Sequence, residues 1–243
     1  MDRNLNELLR WGIENSSEVT AHPNPNDPIA AEAQPPTNRG LNPDVLAALF
    51  GGPSDADLMK ASMATITSTE DSPKNTLETK LVAFDNFEQL VESLDNANLL
   101  GSLGLWTPLL DVLASSPEPE LRRMAAWCIG TAVQNNQPSQ ERFLAVNGLP
   151  LLVKAAASTT EPAAVRRKAV YALSSACRNY QPAMDQALVS LAALDSNSKA
   201  PALAAATLPD TVDASNMDAV DEVINILKAD VAAAVEAEAA KAA

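Results

Sequence analysis

Apolar residues recur at intervals of three and four over most of the chain, the spacing that puts them on one face of a helix. Leu5, Leu8, Leu9 and Ile13, with Trp11 beside them, predict a short helix ending near Gly12 to Ser16. Asn42 and Pro43 suit the cap and first turn of a second helix through Val45, Leu46 and Leu49, which Gly51, Gly52 and Pro53 stop. Ser54 caps a third, with Leu58, Met59, Met63 and Ile66 as its stripe. Thr76 opens a longer one, Leu77 to about Leu94, built on Leu81, Phe84, Phe87, Leu90, Val91 and Leu94. It is expected to close in Asp95 to Asn98, because Asp and Asn side chains compete with the backbone inside helices. A last helix carries Met217, Val220, Ile224, Leu227, Val231 and Val235, before an Ala, Glu and Lys end that is expected to fray.

Between these lies a stretch that says the same thing twice. Gly104–Leu105, Arg122–Arg123 and Gln137–Pro138 return 44 positions later as Gly148–Leu149, Arg166–Arg167 and Gln181–Pro182, without a gap. Each copy predicts a short apolar helix (Leu105 to Leu113; Leu149 to Ala156), a Pro/Ser/Thr loop, then a long helix (Glu120 to Asn135; Ala164 to Asn179). A helical period of roughly 40–47 residues is that of armadillo and HEAT repeats. Such units bury their apolar faces only by stacking, and the stack presents a concave binding surface. The fold class read from this is all-α: an armadillo-like right-handed helical solenoid with a disordered N-terminal arm. Residues 1–40 form the arm, where Pro23, Pro25, Pro28, Pro35 and Pro36 sit among small and polar residues. Residues 41–194 form the repeat domain. Residues 195–243 form a loop, a capping helix and a tail, since no third Arg-Arg copy follows Leu194.

Composition narrows the function. The charge of −14 repels phosphate backbones and anionic lipid, so nucleic acid and membrane are excluded as partners. No apolar run approaches a membrane span, and the N-terminus does not read as a secretory signal. His22, the single histidine, falls in the arm, which leaves no His-dependent catalytic or metal site on the folded body. Cys128 and Cys177 lie in strong helical patterns and read as buried thiols of a reducing compartment. No Gly-rich phosphate loop is present. The chain reads as a non-enzyme with no cofactor and no metal, and its function as binding.

Residues four apart share a helix face. Arg123, Trp127, Thr131 and Asn135 form one row, and Arg167, Tyr171, Ser175 and Asn179 its copy. Leu121, Ala125, Cys128, Ile129 and Ala132, matched by Val165, Ala169, Ala172, Leu173 and Ala176, form the opposite, core-facing stripe. The first set suits a protein-binding groove, because Arg and aromatic side chains are efficient anchors. Trp127 and Tyr171 equally suit padding between repeats, with their polar atoms at the rim.

Four blocks then carry a resemblance. LETKLVAFDNFE (Leu77 to Glu88), LDNAN (Leu94 to Asn98), Leu105–Trp106 with Pro108 to Leu113, and GTAVQNN (Gly130 to Asn136) are similar to the fungal armadillo-type nucleotide exchange factors of the DnaK-type, seventy-kilodalton heat-shock chaperones. LLRWGIENS (Leu8 to Ser16) and LFGGPSDADLM (Leu49 to Met59) resemble them too. The resemblance implies a cytoplasmic monomer whose concave surface embraces one lobe of the chaperone's ATPase domain and favours its open form, so that ADP leaves and client is released. It implies a chaperone contact at Asn96, Ala97 and Asn98, and a client-releasing arm at Leu8, Leu9, Trp11 and Ile13. On this mapping Ala97→Arg is expected to weaken exchange and leave the fold intact. The competing reading is an armadillo-type adaptor that captures peptides along the Trp127/Asn135 and Tyr171/Asn179 rows.

Overall fold

A computed structural model of the chain describes residues 52–70, 72, 75–195 and 199–242. Nearly all of them belong to one compact unit, Asp55–Ala243. The arm with Leu8, Leu9, Trp11 and Ile13, and the helix expected from Asn42, lie outside the described residues. Every regular element described is a helix: α1 Asp55–Thr67, α2 Leu77–Val91, α3 Leu94–Ser102, α4 Trp106–Ser115, α5 Pro119–Val133, α6 Gln137–Ala145, α7 Gly148–Ala157, α8 Ala163–Cys177, α9 Gln181–Ala192, α10 Pro201–Ala205 and α11 Met217–Ala242. The chain is an all-α solenoid.

Local chemistry sets the boundaries. Thr76 and Thr79 close a reciprocal capping box at the start of α2, each hydroxyl accepting the other residue's N–H at 3.2 and 3.0 Å. Proline stands in the first turn of α5, α6, α9 and α10, where its missing N–H costs nothing. The Gln-Pro pairs of the repeat are therefore helix starts. Asn135 (φ 51°) and Asn179 (φ 57°) end the two long helices in the left-handed region, which Asn tolerates better than most residues.

Two three-helix units follow from this, α3–α4–α5 and α6–α7–α8, each short, short and long. The long helices α2, α5 and α8 stack side by side and run parallel: Glu88 meets Thr131 between α2 and α5, while Trp127 and Gln134 meet Lys168 and Tyr171 between α5 and α8. The predicted core stripes of α5 and α8 are fully buried in register. At about 25 cal/mol per Å² of apolar surface removed from water, this shared face is the main force holding the units together. Phe143 of α6 packs on Trp106 of α4 with ring centroids 5.4 Å apart, tying one unit to the next.

The last helix is reversed. Its start lies at the end of α8, where Arg178 pairs with Asp221, and its end lies at the start of α8, where the Glu238 carboxylate accepts the Ala163 N–H at 2.8 Å. Asp230, buried midway, accepts the N–H groups of Ala202 and Leu203 and so caps α10. An antiparallel helix cannot offer the next parallel face of a solenoid, so α11 closes the stack instead of extending it.

Several expectations need correction. Leu58 is 39% exposed, Leu94 58% and Val235, at the end of the last helix's stripe, 37%. The stripe of α1 narrows to Met59, Met63 and Ile66, and the chain turns at Glu92 and Ser93, so that Leu94 opens a new helix facing outward. Asp95 to Asn98 is not a loop but the first turn of α3, where a carboxylate complements the helix dipole and Asn is well placed. The C-terminal stretch stays helical to Ala242, being rich in good helix formers and held through Glu238.

Cys128 and Cys177 are free and buried. Burial first, and then Glu88, push the Cys128 thiol up, and burial pushes Cys177 up to about 12. Neither thiol should react with iodoacetamide at neutral pH until denaturant is added, and labelling of folded protein would contradict this packing. Because the folded thiols hold their protons more tightly than the unfolded ones, their stabilising contribution is complete below the ordinary value of 9.0 and is lost as pH rises towards 12.

Candidate partner-binding groove

The twin arginines of each repeat divide their work. Arg122 sits at the outer loops, bonding Glu161 at 2.8 Å and the carbonyls of Ser116 and Pro117 at 2.6 and 3.1 Å, which laces one unit to the next. Its copy Arg166 is buried, with Nε on the Ala156 carbonyl at 3.4 Å, and burial lowers its pKa. The following residues, Arg123 and Arg167, lie one step round the helix on the face carrying Trp127 and Tyr171. Arg123 meets Glu120 at 2.8 Å on its own helix, and Arg167 is exposed.

Between them stands a residue the four-apart rows leave out. Lys168 Nζ lies 3.7 Å from the centre of the Trp127 ring and 5.7 Å from that of Tyr171, a cation held over two aromatic faces. Lys168 is the copy of buried Met124, so a core position of the first unit carries a charge in the second. That mismatch at an offset of 44 is the signal by which sequence could have found it. Burial, and then the Arg123 guanidinium, lower its pKa, with Glu88 pulling the other way.

The aromatic rings themselves are engaged within the fold. Tyr171 lies so close to α5 that a Cβ on Gly130 would fall 2.5 Å from its ring, and its hydroxyl donates to Gln134 at 2.9 Å. Trp127 is half-buried against the core beneath Lys168. Thr131 donates to Glu88 at 2.7 Å. The structure thus joins Arg123, Trp127, Thr131, Arg167 and Tyr171 in one face across α5 and α8, and the two rings serve as packing between the repeats. Ser175 is buried in the row, and Asn135 and Asn179 lie beyond the helix ends, exposed and left-handed.

The earlier block sits apart, at the first turn of α3. Asn96 is buried and donates to the Leu90 carbonyl and to Asp55, both at 2.9 Å, closing the end of α2 against the start of α1. Gln140, 44 residues on, plays a similar part for α8, donating to the Ser175, Ala176 and Arg178 carbonyls at 3.1 Å. Ala97 is 2% exposed, and Asn98 is exposed. Ala97→Arg would therefore disturb the core as well as any contact. Of the three residues Asn96, Ala97 and Asn98, Asn98 is the exposed one.

No group of three or more His, Cys, Asp or Glu residues placed to hold a metal ion occurs among the described residues. No single described helix is long and apolar enough to cross a membrane, and the apolar pair α3 and α4 is bent by 88°. The face across α5 and α8 offers Arg123, Arg167 and Lys168 with a framed aromatic pair.

Comparison with known proteins bears on what is recognised. Residues 5–100 match the family described as nucleotide exchange factor Fes1, and residues 96–198 match the SIL1/FES1/HPBP1 C-terminal domain. The chain is 56% identical over 227 residues to the Hsp70 nucleotide exchange factor FES1 of Gibberella zeae, covering 93% of this chain and 96% of that one. It is 46% identical over 228 residues to that of Coccidioides immitis, covering 94% and 98%. With that of Saccharomyces cerevisiae the identity is 47% over 180 residues, covering 73% of this chain and 57% of the longer relative.

Proposed function

Because the chain belongs to the Fes1 family, we propose that it is an Hsp70 nucleotide exchange factor that works by binding the chaperone's ATPase domain in the face formed by α5 and α8. The observation that carries this reading is near-full-length identity to relatives named for that activity. The groove supports it physically. Its cations stand out against an overall charge of −14, and its aromatic walls are held by packing, so little side-chain freedom is lost on contact.

Exchange needs no bond-making by this protein. If the face binds the open ATPase domain better than the ADP-closed one, the population shifts towards the open form, and nucleotide affinity falls by the same factor. The chain then acts in the cytoplasm, as a monomer, with Asn98 at the edge of the contact and Leu8, Leu9, Trp11 and Ile13 on the arm that frees clients.

Substoichiometric protein should accelerate loss of a fluorescent ADP analogue from the isolated ATPase domain, followed by stopped flow. A release rate indifferent to the protein would overturn the proposal. Capture of basic peptides with no effect on release would favour the adaptor reading.

A further inference from the structure

Between the middle of α8 and the middle of the reversed α11, beside the face that carries Arg167 and Tyr171, lies an open slot of about 460 Å³. Val170 and Tyr171 of α8 and Val231 and Ala232 of α11 supply its apolar walls. Two cations face across it, Arg167 from α8 and Lys228 from α11. Both are exposed, and neither forms an ion pair among the described residues, whereas Arg122, Arg123 and Arg178 all do. Neither has an acidic residue three or four positions away on its own helix, the places from which a helical cation is ordinarily paired. On a chain with 31 acidic residues against 17 basic, two unpaired cations opposed across one apolar slot are short of anionic partners.

We propose that this slot is a subsite for a peptide segment of a partner protein in which one aliphatic side chain is flanked by carboxylates. The aliphatic group enters between Val170 and Val231. The carboxylates on either side meet Arg167 and Lys228. The apolar contact supplies affinity, and the opposed cations fix the register, because a segment with basic flanks would meet like charge at both walls. Tyr171, packed on α5 through Gly130 and Gln134, also lines the slot beside α11. The subsite extends the exchange-factor reading by adding a ligand class beside the groove, and its test needs no chaperone.

Fluorescence anisotropy with a labelled seven-residue peptide, one leucine centred among glutamates, measures it directly. Binding at micromolar to sub-millimolar protein is expected, roughly tenfold or more weaker when the leucine becomes serine. Arg167→Ala and Lys228→Ala should each weaken it roughly three- to fivefold, in a salt-dependent way. Ala232→Trp, at an exposed position, should fill the slot and abolish binding. No binding up to about millimolar protein, or binding unchanged in the Arg167→Ala/Lys228→Ala double variant, overturns the proposal, and that double variant decides the matter even if Ala232→Trp unfolds. Nucleotide release measured on the same wild-type protein separates the two readings. Loss of peptide binding alone removes the subsite, and loss of release alone removes the exchange activity.

Discussion

Gly130→Val is expected to lower the unfolding free energy by about 2 kcal/mol or more, within the range of overpacked cores. A Cβ at residue 130 would fall 2.5 and 2.7 Å from the Tyr171 ring and 3.0 Å from the Ala172 Cα. The ring is not free to swing away, since its hydroxyl is bonded to Gln134 and Lys168 lies near its face. The Ala172 contact is backbone, so relief would need α8 to move away from α5. Against this stands the gain from replacing Gly inside a helix, less than about 1 kcal/mol, which is too small to reverse the sign. Urea unfolding followed by circular dichroism would show a lower midpoint at an unchanged slope. Tyr171→Ala in the same background should restore part of the loss. A midpoint equal to that of wild type would mean that α5 and α8 do not pack as described.

The same glycine marks how far the sequence could be read. An echo of 44 residues is enough to place α4, α5, α7 and α8, because a repeated unit must bury the same stripe twice, and Leu121, Ala125, Ile129 and their copies do so. The echo cannot say what lies over the face between the units. Gly130 corresponds to Ser174 and Met124 to Lys168, and those mismatches carry the close approach of Tyr171 and the cation over Trp127. Such features arise from contacts between copies, which neither copy encodes alone. The LDNAN block shows a different limit. Asp and Asn read as a helix end, and the same preference for unpaired backbone groups suits a helix beginning, so composition could not separate the stop of α2 from the start of α3. Direction was also hidden. The periodicity of α11 is ordinary, and it takes contacts such as Asp221 at Arg178 and Glu238 at Ala163 to reveal that it runs backwards.

Reversing two charges of the groove should remove its function while sparing the fold. If Arg123 and Arg167 meet carboxylates of the ATPase domain, as the proposed docking requires, the Arg123→Glu/Arg167→Glu variant turns two attractions into repulsions, each worth about 1–2 kcal/mol when partly desolvated. Affinity for the ATPase domain should fall by about 100-fold or more. Neither side chain supports the core: Arg123 bonds only Glu120 on its own helix, and Arg167 lies in the open slot. The far-ultraviolet spectrum and urea midpoint should therefore stay near those of wild type, apart from the loss of one partly exposed ion pair and the new repulsion between Glu120 and the introduced carboxylate, together about 1 kcal/mol. At limiting protein the acceleration of nucleotide release should vanish, and it should return when the variant is supplied in large excess, because the coupling between the two binding equilibria depends on the states compared and not on how often they are visited. Lowering the ionic strength should not rescue the variant, since weaker screening now strengthens repulsion, whereas it should tighten the wild-type complex. Release by the variant at wild-type efficiency, with the same response to salt, would place the chaperone contact on another face of the solenoid and leave the cations of α5 and α8 without a role in exchange.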